Sequence, residues 1–129
     1  MKKLNLLKIV LFIVGSVFML ASCSSLDQAR SLYKDGKNDE ALNMAADFLK
    51  KSDPAVRLEA VELIGEIGGD RAGKLLMPVM EDEDEEVRVA AIDAIGKMKY
   101  KKAANKLVAM SIETDGDTFE AVAKAIKNI

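Results

Sequence analysis

The sequence contains no histidine and no tryptophan, and its 129 residues include one cysteine and two prolines. Histidine is the commonest general base and metal-ligating side chain near neutral pH, so its absence removes the usual acid–base and imidazole–metal sites. A single cysteine allows no intramolecular disulfide, and the glycines form no Walker-type phosphate loop. These absences predict a non-catalytic protein without a metal or a cofactor. The few prolines and the many Ala, Leu, Ile, Lys and Glu residues favour helices.

The N-terminal segment lacks acidic residues. Residues 1–22 carry Lys2, Lys3 and Lys8, followed by a mostly apolar run of 13 residues from Ile9 to Ala21. A membrane-spanning helix needs about 20 apolar residues, so this run is too short to be one. A basic start, a short apolar stretch and small residues at its end are typical of a cleaved secretion signal.

The signal ends in Leu20-Ala21-Ser22-Cys23, which resembles the lipobox of bacterial lipoproteins: an aliphatic residue, two small residues and a cysteine. The resemblance implies that residues 1–22 are removed and that Cys23 carries a diacylglyceryl group. It also implies that the new amino group can receive a further acyl chain, such as palmitate. Two chains or more are enough for stable membrane anchoring. The alternatives are an ordinary secretory signal with an incidental cysteine and an uncleaved anchor.

The residue after the cysteine bears on the location of such a lipoprotein. In the enterobacterial sorting pattern, Asp at that place retains a lipoprotein in the inner membrane, whereas this chain has Ser24. The resemblance therefore implies the outer membrane in a host with two membranes, and the outer face of the plasma membrane otherwise. We expect Ser24-Ser25, extending at most to Asp27, to be the whole linker between lipid and folded domain.

The chain that remains after cleavage, residues 23–129, is mildly acidic. Removal of three lysines with the signal leaves 16 basic residues against 21 acidic ones. A nucleic-acid-binding protein is expected to show a basic excess, so this balance argues against nucleic acid as a partner. The length allows one domain.

An internal repeat with a period of 31 residues, called the repeat register below, runs through this domain. Asp53-Pro-Ala-Val-Arg57 recurs as Asp84-Glu-Glu-Val-Arg88, and the apolar positions that follow keep the same spacing. A third, partial copy keeps small and apolar residues at Ala121, Ala125 and Ile126. Three copies in one register predict a repeat architecture.

Each copy is predicted to form two antiparallel helices. Apolar residues recur at helical spacing, and Asp53 and Asp84 stand where an N-cap accepts hydrogen bonds from the first turn. We expect Gly68-Gly69 and Gly96 to mark the turns between partner helices. A helix pair of this size cannot bury its apolar face alone, so successive pairs must stack. The predicted fold class is all-α, an α-solenoid of antiparallel helix pairs.

These repeats resemble the short HEAT-like repeats first associated with phycobilin lyases, with an acidic cap, Val-Arg and an Ala-rich stripe ending in Ile-Gly. Residues 53–83 and 84–114 are full copies, and residues 115–129 supply only a first helix, with Thr118-Phe119 in place of Val-Arg. The resemblance implies that Arg57 and Arg88 tie neighbouring repeats through acidic residues. Asp117 and Glu120 have the spacing of a capping box, which predicts the start of the last helix.

Residues 26–52, before the repeats, resemble most of one tetratricopeptide unit. Leu32-Tyr33-Lys-Asp-Gly36 and Glu40-Ala41-Leu42 match that pattern, although Asn38 stands where an aromatic residue is usual. We interpret the segment as a helical hairpin that caps the N-terminal end of the solenoid.

Two charged features are candidate binding surfaces. The acidic run Glu81–Glu86 is either a cation or basic-partner site or, as we favour, an exposed turn that caps a helix; it matches a calcium loop poorly, with Val87 in place of the turn glycine. Four basic residues fall on the predicted second helices and are the candidate partner-binding face, with an ordinary solvated surface as the alternative: Arg71, Lys74, Lys102 and Lys106.

The sequence therefore predicts a lipid-anchored, non-catalytic scaffold that binds another envelope protein or a peptide. Resemblance to the lyase repeats leaves open an enzyme or a cofactor-attachment factor, although two and a half repeats give little room for a tetrapyrrole. A purely structural subunit of an envelope complex is a third possibility. The resemblance supports binding in general and names no partner.

Overall fold

The computed structural model describes residues 24–129 and contains seven α-helices in that range. Cys23 and the signal segment 1–22 lie outside the described residues. The helices are α1 Ser24–Lys34, α2 Asn38–Phe48, α3 Pro54–Ile67, α4 Gly69–Leu76, α5 Glu85–Lys97, α6 Ala104–Glu113 and α7 Gly116–Asn128. Short 3₁₀ turns, Pro78–Glu81 and Lys101–Ala103, follow α4 and precede α6. Within residues 24–129, no helix is both long enough and apolar enough to cross a bilayer.

Helices α3, α5 and α7, the first helices of successive repeats, pack side by side, and α4 and α6 pack beside them. The apolar residues that the repeat register aligns form one continuous core. The methionines of the described chain also belong to this core or pack against it: Met44, Met77, Met80, Met98 and Met110. The predicted fold class, an all-α solenoid of antiparallel helix pairs, is confirmed.

The N-terminal hairpin follows the same register as the repeats. Ala29 on α1 stands one period before Ala60, and all side chains at this position, including Ala91 and Val122, are fully buried. Ala45, Leu76 and Leu107 show the same equivalence among the second helices. The hydroxyl of Tyr33 donates a hydrogen bond to the carbonyl of Glu66, 3.1 Å away, and so joins the hairpin to α3. The hairpin therefore follows the burial pattern of the repeats and packs against α3 mainly through α2, which the comparison with a tetratricopeptide unit did not indicate.

The first helices of the two full repeats begin at aspartate caps. The Asp53 carboxylate accepts a hydrogen bond from the amide of Ala55 at 2.9 Å, and Pro54 occupies the first helical position, where a missing amide hydrogen is harmless. The Asp84 carboxylate accepts from the amides of Glu86 and Val87. These bonds satisfy amides that the helix itself leaves without partners.

The sequence predicted a turn at Gly96, but α5 continues through this residue to Lys97. A Cβ atom at Gly96 would lie 2.9 Å from the Cα atom of Ala125, so the glycine allows α7 to approach α5 closely. The left-handed turn of this repeat is at Lys99, with φ of 52°, one period after Gly68, with φ of 68°. The Ile-Gly pair is therefore a packing feature of the helix, not its end.

Two further boundary predictions were wrong. Helix α7 begins at Gly116, after Asp115, and no side-chain cap bond forms there, so Asp117 lies inside the first turn and is not the cap of a capping box. Helix α1 begins at Ser24, so the two serines predicted to be a linker are its first residues. Asp27 in the first turn complements the helix dipole.

Candidate interaction surfaces

Arg57 is a buried charged residue that holds the loop after α4 against α3. Its guanidinium pairs with both carboxylate oxygens of Asp82, with Nε to Oδ2 at 2.9 Å and Nη2 to Oδ1 at 2.8 Å. It also donates to the carbonyls of Lys51 and Ser52, and lies 3.4 Å from Glu83. This side chain therefore joins three segments: the end of the hairpin, the first repeat and the entry to the second.

Arg88 occupies the same position in the second repeat and repeats half of this arrangement. Its Nη1 donates to the carbonyls of Asp82 and Glu83 at 2.9 and 3.1 Å, the counterparts of the two carbonyls that Arg57 contacts. The residue one period after Asp82 is Glu113, which is exposed as the last residue of α6. Pro78 accounts for the difference: α4 ends at Leu76 and a 3₁₀ turn follows, whereas Ala109 at the equivalent position lets α6 continue.

The pKa of Asp82 reflects this pairing. Burial alone raises the pKa of the carboxyl group, but hydrogen bonds from Arg57 and from the amide of Asp84 favour the charged form, as do the positive charges of Arg57 and Arg88. The net result is a pKa below the usual value of an aspartate. Asp82 therefore remains a carboxylate at neutral pH and accepts the bidentate bond.

The acidic run forms the turn between the repeats. Asp82 pairs with Arg57, Asp84 caps α5, and Glu81 lies 2.8 Å from the amino group of Lys106. No group of three or more potential metal ligands that could hold a metal ion is found within residues 24–129. The run thus makes contacts that fix the fold of this turn.

The four basic residues of the candidate partner-binding face are surrounded by carboxylates. Asp70 accepts hydrogen bonds from both Lys102 and Lys74, the latter at 2.9 Å, and so connects α4 with the 3₁₀ turn before α6. Arg71 lies 3.0 Å from Asp39 on α2 and contacts Asn43. Lys106 pairs with Glu81. The structure brings Lys74 and Lys102 together, and it partly neutralises all four charges.

These pairs lie near the surface. The hydrogen bonds from Lys102 and Lys74 lower the pKa of Asp70, and the bond to Asp70 raises the pKa of Lys102. The side chains of Lys74, Lys102 and Asp70 are 66%, 64% and 50% exposed. Exposed ion pairs contribute little to stability, so these contacts with Asp70 are weak.

A groove between the first helices α3 and α5 is lined mainly by negative charges. It has a volume of about 570 Å³, and its carboxylates are Glu62, Glu66 and Asp93. Lys97 lies at its edge, and Lys124 of α7 contacts Asp93 at 3.3 Å. Basic and acidic residues are therefore only partly segregated, because Lys97 and Lys124 of the first helices lie beside these carboxylates.

Sequence reasoning missed a third surface, which is apolar. Within residues 24–129 the exposed large apolar side chains lie on α6 and α7: Val108, Ile112, Phe119 and Ile126. The alternation of exposed and buried residues along these helices is visible in the sequence. However, the neighbours of each helix, which decide exposure, are not.

The comparison with protein families matches residues 42–127 to HEAT repeats, which is more than half of the chain. The chain belongs to the HEAT repeat family. No curated protein matches the sequence. The HEAT match begins inside α2, in the segment that the sequence compared with a tetratricopeptide unit, and agrees with the burial pattern that places this helix in the repeat register. HEAT repeats typically mediate protein–protein interaction, which is compatible with a scaffold.

Proposed function

We propose that this protein is a lipid-anchored scaffold of the bacterial cell envelope that binds an acidic protein or peptide through the basic residues of its second helices. The HEAT-like solenoid is the single observation that carries the binding role, because stacked repeats present extended surfaces for partners. The basic start, the short apolar run and the sequence Leu20-Ala21-Ser22-Cys23 support the anchor.

The geometry adds a physical consequence to the proposed anchor. Because α1 begins at Ser24, acyl chains on Cys23 would be attached next to the first turn of the folded domain. A scaffold held in this way remains within a few ångströms of the bilayer surface and meets partners there. The same anchor would place the protein in the outer membrane of a host with two membranes, given Ser24.

The lipid anchor is tested by the intact mass of the protein extracted from the membrane fraction of its bacterial host. We expect the mass of residues 23–129 plus two or three acyl chains, and we expect Cys23→Ser to keep the signal and lose the acyl mass. A wild-type protein that retains residues 1–22, or that carries an unmodified thiol, would contradict the anchor. Fractionation of the two membranes then tests the location.

The binding face is tested by charge reversal of Arg71, Lys74, Lys102 and Lys106 together. In-cell crosslinking with mass spectrometry first identifies partners of the wild-type protein, and the recovery of an acidic partner is then compared between variants. We expect the reversed variant to lose this partner. A matched control reverses four exposed lysines elsewhere: Lys34, Lys50, Lys97 and Lys127. Equal recovery by both variants would refute the assignment of the face.

Substitution of Asp70 tests the same face by increasing its positive charge. Asp70→Asn removes the carboxylate that faces Lys74 and Lys102, so the positive potential at the face increases. We expect faster capture of an acidic partner at low salt and a smaller difference at high salt, because exposed charges are screened. Weaker capture by this variant would indicate that Asp70 itself contacts the partner.

A further inference from the structure

The connection between α5 and α6 carries three exposed lysines, called the lysine loop below: Lys99, Lys101 and Lys102. The equivalent residues one period earlier carry no net charge: Gly68, Asp70 and Arg71. Those of the N-terminal hairpin are mostly acidic: Lys37, Asp39 and Glu40. The excess of positive charge therefore belongs to the second repeat alone, and the helical repeat does not require it.

Two of these lysines have no ion pair. Lys102 donates to Asp70, in an exposed and therefore weak contact. Lys99 and Lys101 form no ion pair with any carboxylate of residues 24–129. By contrast, each of the four residues of the basic face contacts a carboxylate. The lysine loop thus offers charges that the fold itself does not neutralise.

The lysine loop borders a pocket with a volume of about 300 Å³ beside the start of α4. The other lining residues are Gly69, Asp70, Met98 and Tyr100. The lining therefore combines three lysines and one carboxylate with an apolar wall from Met98 and the ring of Tyr100. A group that is negatively charged at its end and apolar along its stem, such as a glutamate side chain, matches this lining.

The backbone of the turn does not account for the lysine at position 99. Lys99 has a φ of 52°, which is unfavourable for a residue with a Cβ atom, and Gly68 makes the equivalent turn with a φ of 68°. Strained residues of this kind cluster at binding and catalytic sites. Because glycine would serve the turn better, the strain at Lys99 supports a role for its charge outside the fold.

The lysine loop lies at the edge of the fold opposite the start of α1. Arg30 of α1 lies 3.8 Å from Glu59 of α3. Further along both helices Tyr33 donates to Glu66, so the first helices run in parallel and begin at the same edge. The lysine loop follows α5, which has 13 residues and a length of about 20 Å.

This position favours a protein over lipid headgroups as the occupant of the pocket. The proposed anchor precedes α1 and would hold the opposite edge of the fold at the bilayer. Exposed charges interact weakly beyond a screening length of about 8 Å at physiological salt. The distance of about 20 Å between the two edges exceeds this length.

We propose that the pocket beside the lysine loop binds an acidic segment of a partner protein, with a carboxylate between Lys99, Lys101 and Lys102. The proposal rests on the scaffold role and deepens it, because it adds two lysines without ion pairs to the contact with the acidic partner. Lys102 is common to this pocket and to the basic face. A carboxylate bound here shares Lys102 with Asp70 and gains the charges of the other two lysines.

The test uses the full-length protein in a non-ionic detergent and a fluorescent hexaglutamate peptide, with hexaglutamine as the neutral probe. We expect saturable binding of hexaglutamate at low salt by fluorescence anisotropy, and no binding of hexaglutamine. Lys99→Gly combined with Lys101→Gln should weaken binding about fivefold, as expected for the loss of two exposed charge contacts. Lys101→Gln alone leaves the turn unchanged and should weaken binding about twofold.

The matched control is Lys34→Gln combined with Lys50→Gln, which removes two exposed lysines of the N-terminal hairpin and gives the same net charge. We expect this variant to bind hexaglutamate like the wild type. The lysines of residues 1–22 are the same in all variants and do not affect the comparison. Thermal unfolding verifies that the loop variants are folded, and Lys99→Gly is expected to stabilise the protein because it relieves an unfavourable φ.

A further variant separates this pocket from the basic face. Reversal of Arg71, Lys74 and Lys106, which do not line the pocket, leaves the lysine loop intact. Loss of hexaglutamate binding in this variant but not in the loop variants would overturn the proposal and keep the basic face, whereas the converse result would keep the pocket alone.

Two other results would overturn the proposal. One is equal binding of hexaglutamate and hexaglutamine, because charge would then not determine recognition. The other is a loop variant that binds hexaglutamate normally but no longer binds vesicles of phosphatidylglycerol, which would assign the lysine loop to lipid.

Discussion

The first and second full repeats place an arginine at the same position but give it different partners. Arg57 forms a bidentate ion pair with a carboxylate and donates hydrogen bonds to two carbonyls, whereas Arg88 donates to two carbonyls. The turn between partner helices is made by Gly68 in one repeat and by Lys99 in the other. The ring of Tyr100 packs closely against Gly73 of the first repeat, and Ala104 stands at the equivalent position of the second. The repeat register therefore fixes where a residue lies, and local breaks in the helices decide what it contacts.

The difference between the two arginines predicts the largest effect. Arg57→Met leaves Asp82 without its guanidinium partner, and a charge left unpaired in a buried site is strongly destabilising. We expect the Tm to fall by about 10 °C or more for Arg57→Met, and by less than half of that for Arg88→Met. Thermal unfolding followed by circular dichroism provides the measurement. Equal losses would show that the carbonyl contacts, which both arginines share, carry the stabilisation.

The close contact between Gly73 and the ring of Tyr100 predicts the next largest effect. Gly73→Ala places a methyl group against the ring of Tyr100, and such overpacking costs about 1–3 kcal/mol. We expect urea denaturation to give a loss of about 2 kcal/mol. The loss should be smaller when Gly73→Ala is added to Tyr100→Ala, because the clash is then absent. At the equivalent position of the second repeat, Ala104→Gly removes a methyl group from the first residue of α6, and we expect a smaller loss.

The Asp82 pairing predicts a dependence of stability on pH. The pKa of Asp82 is lower in the folded state than in the unfolded state, where it is about 3.9. Its contribution to stability is therefore complete above about pH 4 and is lost as the pH falls through the lower folded value. Asp82→Asn should flatten the change of Tm between pH 5 and pH 2 relative to the wild type, with Asp70→Asn as a control at an exposed pair. An unchanged pH profile in Asp82→Asn would mean that other carboxyl groups dominate acid unfolding.

The turns predict the smallest effect. Lys99 has a positive φ, which is unfavourable for a residue with a Cβ atom, whereas Gly68 has a positive φ without this cost. We expect Lys99→Gly to raise the free energy of unfolding by about 0.5 kcal/mol, since relief of strain exceeds the entropy cost of glycine. Gly68→Ala should lower it by about 1 kcal/mol. Chemical denaturation of both variants checks the sign, and a destabilised Lys99→Gly would point to contacts made by the lysine stem.

Much of the fold could be predicted because the 31-residue repeat register can be recognised from the sequence alone. The spacing of Asp53 and Asp84 located the starts of α3 and α5, since an aspartate cap is a local hydrogen bond between residues two or three apart. Gly96 was misinterpreted because a glycine near a helix end has two uses, as a turn and as a site of close packing. The choice between them depends on Ala125, a residue of another helix.

The candidate surfaces were less predictable than the fold. The register placed Arg71 and Lys74 on α4 and Lys106 on α6, but Lys102 lies in the 3₁₀ turn before α6. The pairing of these four residues with Asp39, Asp70 and Glu81 depends on how helices lie across one another. In the sequence, Asp82 is one acid in an acidic run. Its role as the ion-pair partner of Arg57 is apparent only in the structure. The exposed apolar residues of α6 and α7 were missed for the same reason.

The sequence by itself determined the helical repeats and their period, because caps and apolar spacing are properties of neighbouring residues. The tertiary structure decided which arginine is fully paired, which glycine admits a neighbouring helix and which apolar residues are left exposed. These properties depend on contacts between residues 25 or more positions apart, such as Arg57 with Asp82. Such contacts exist only after the helices have stacked.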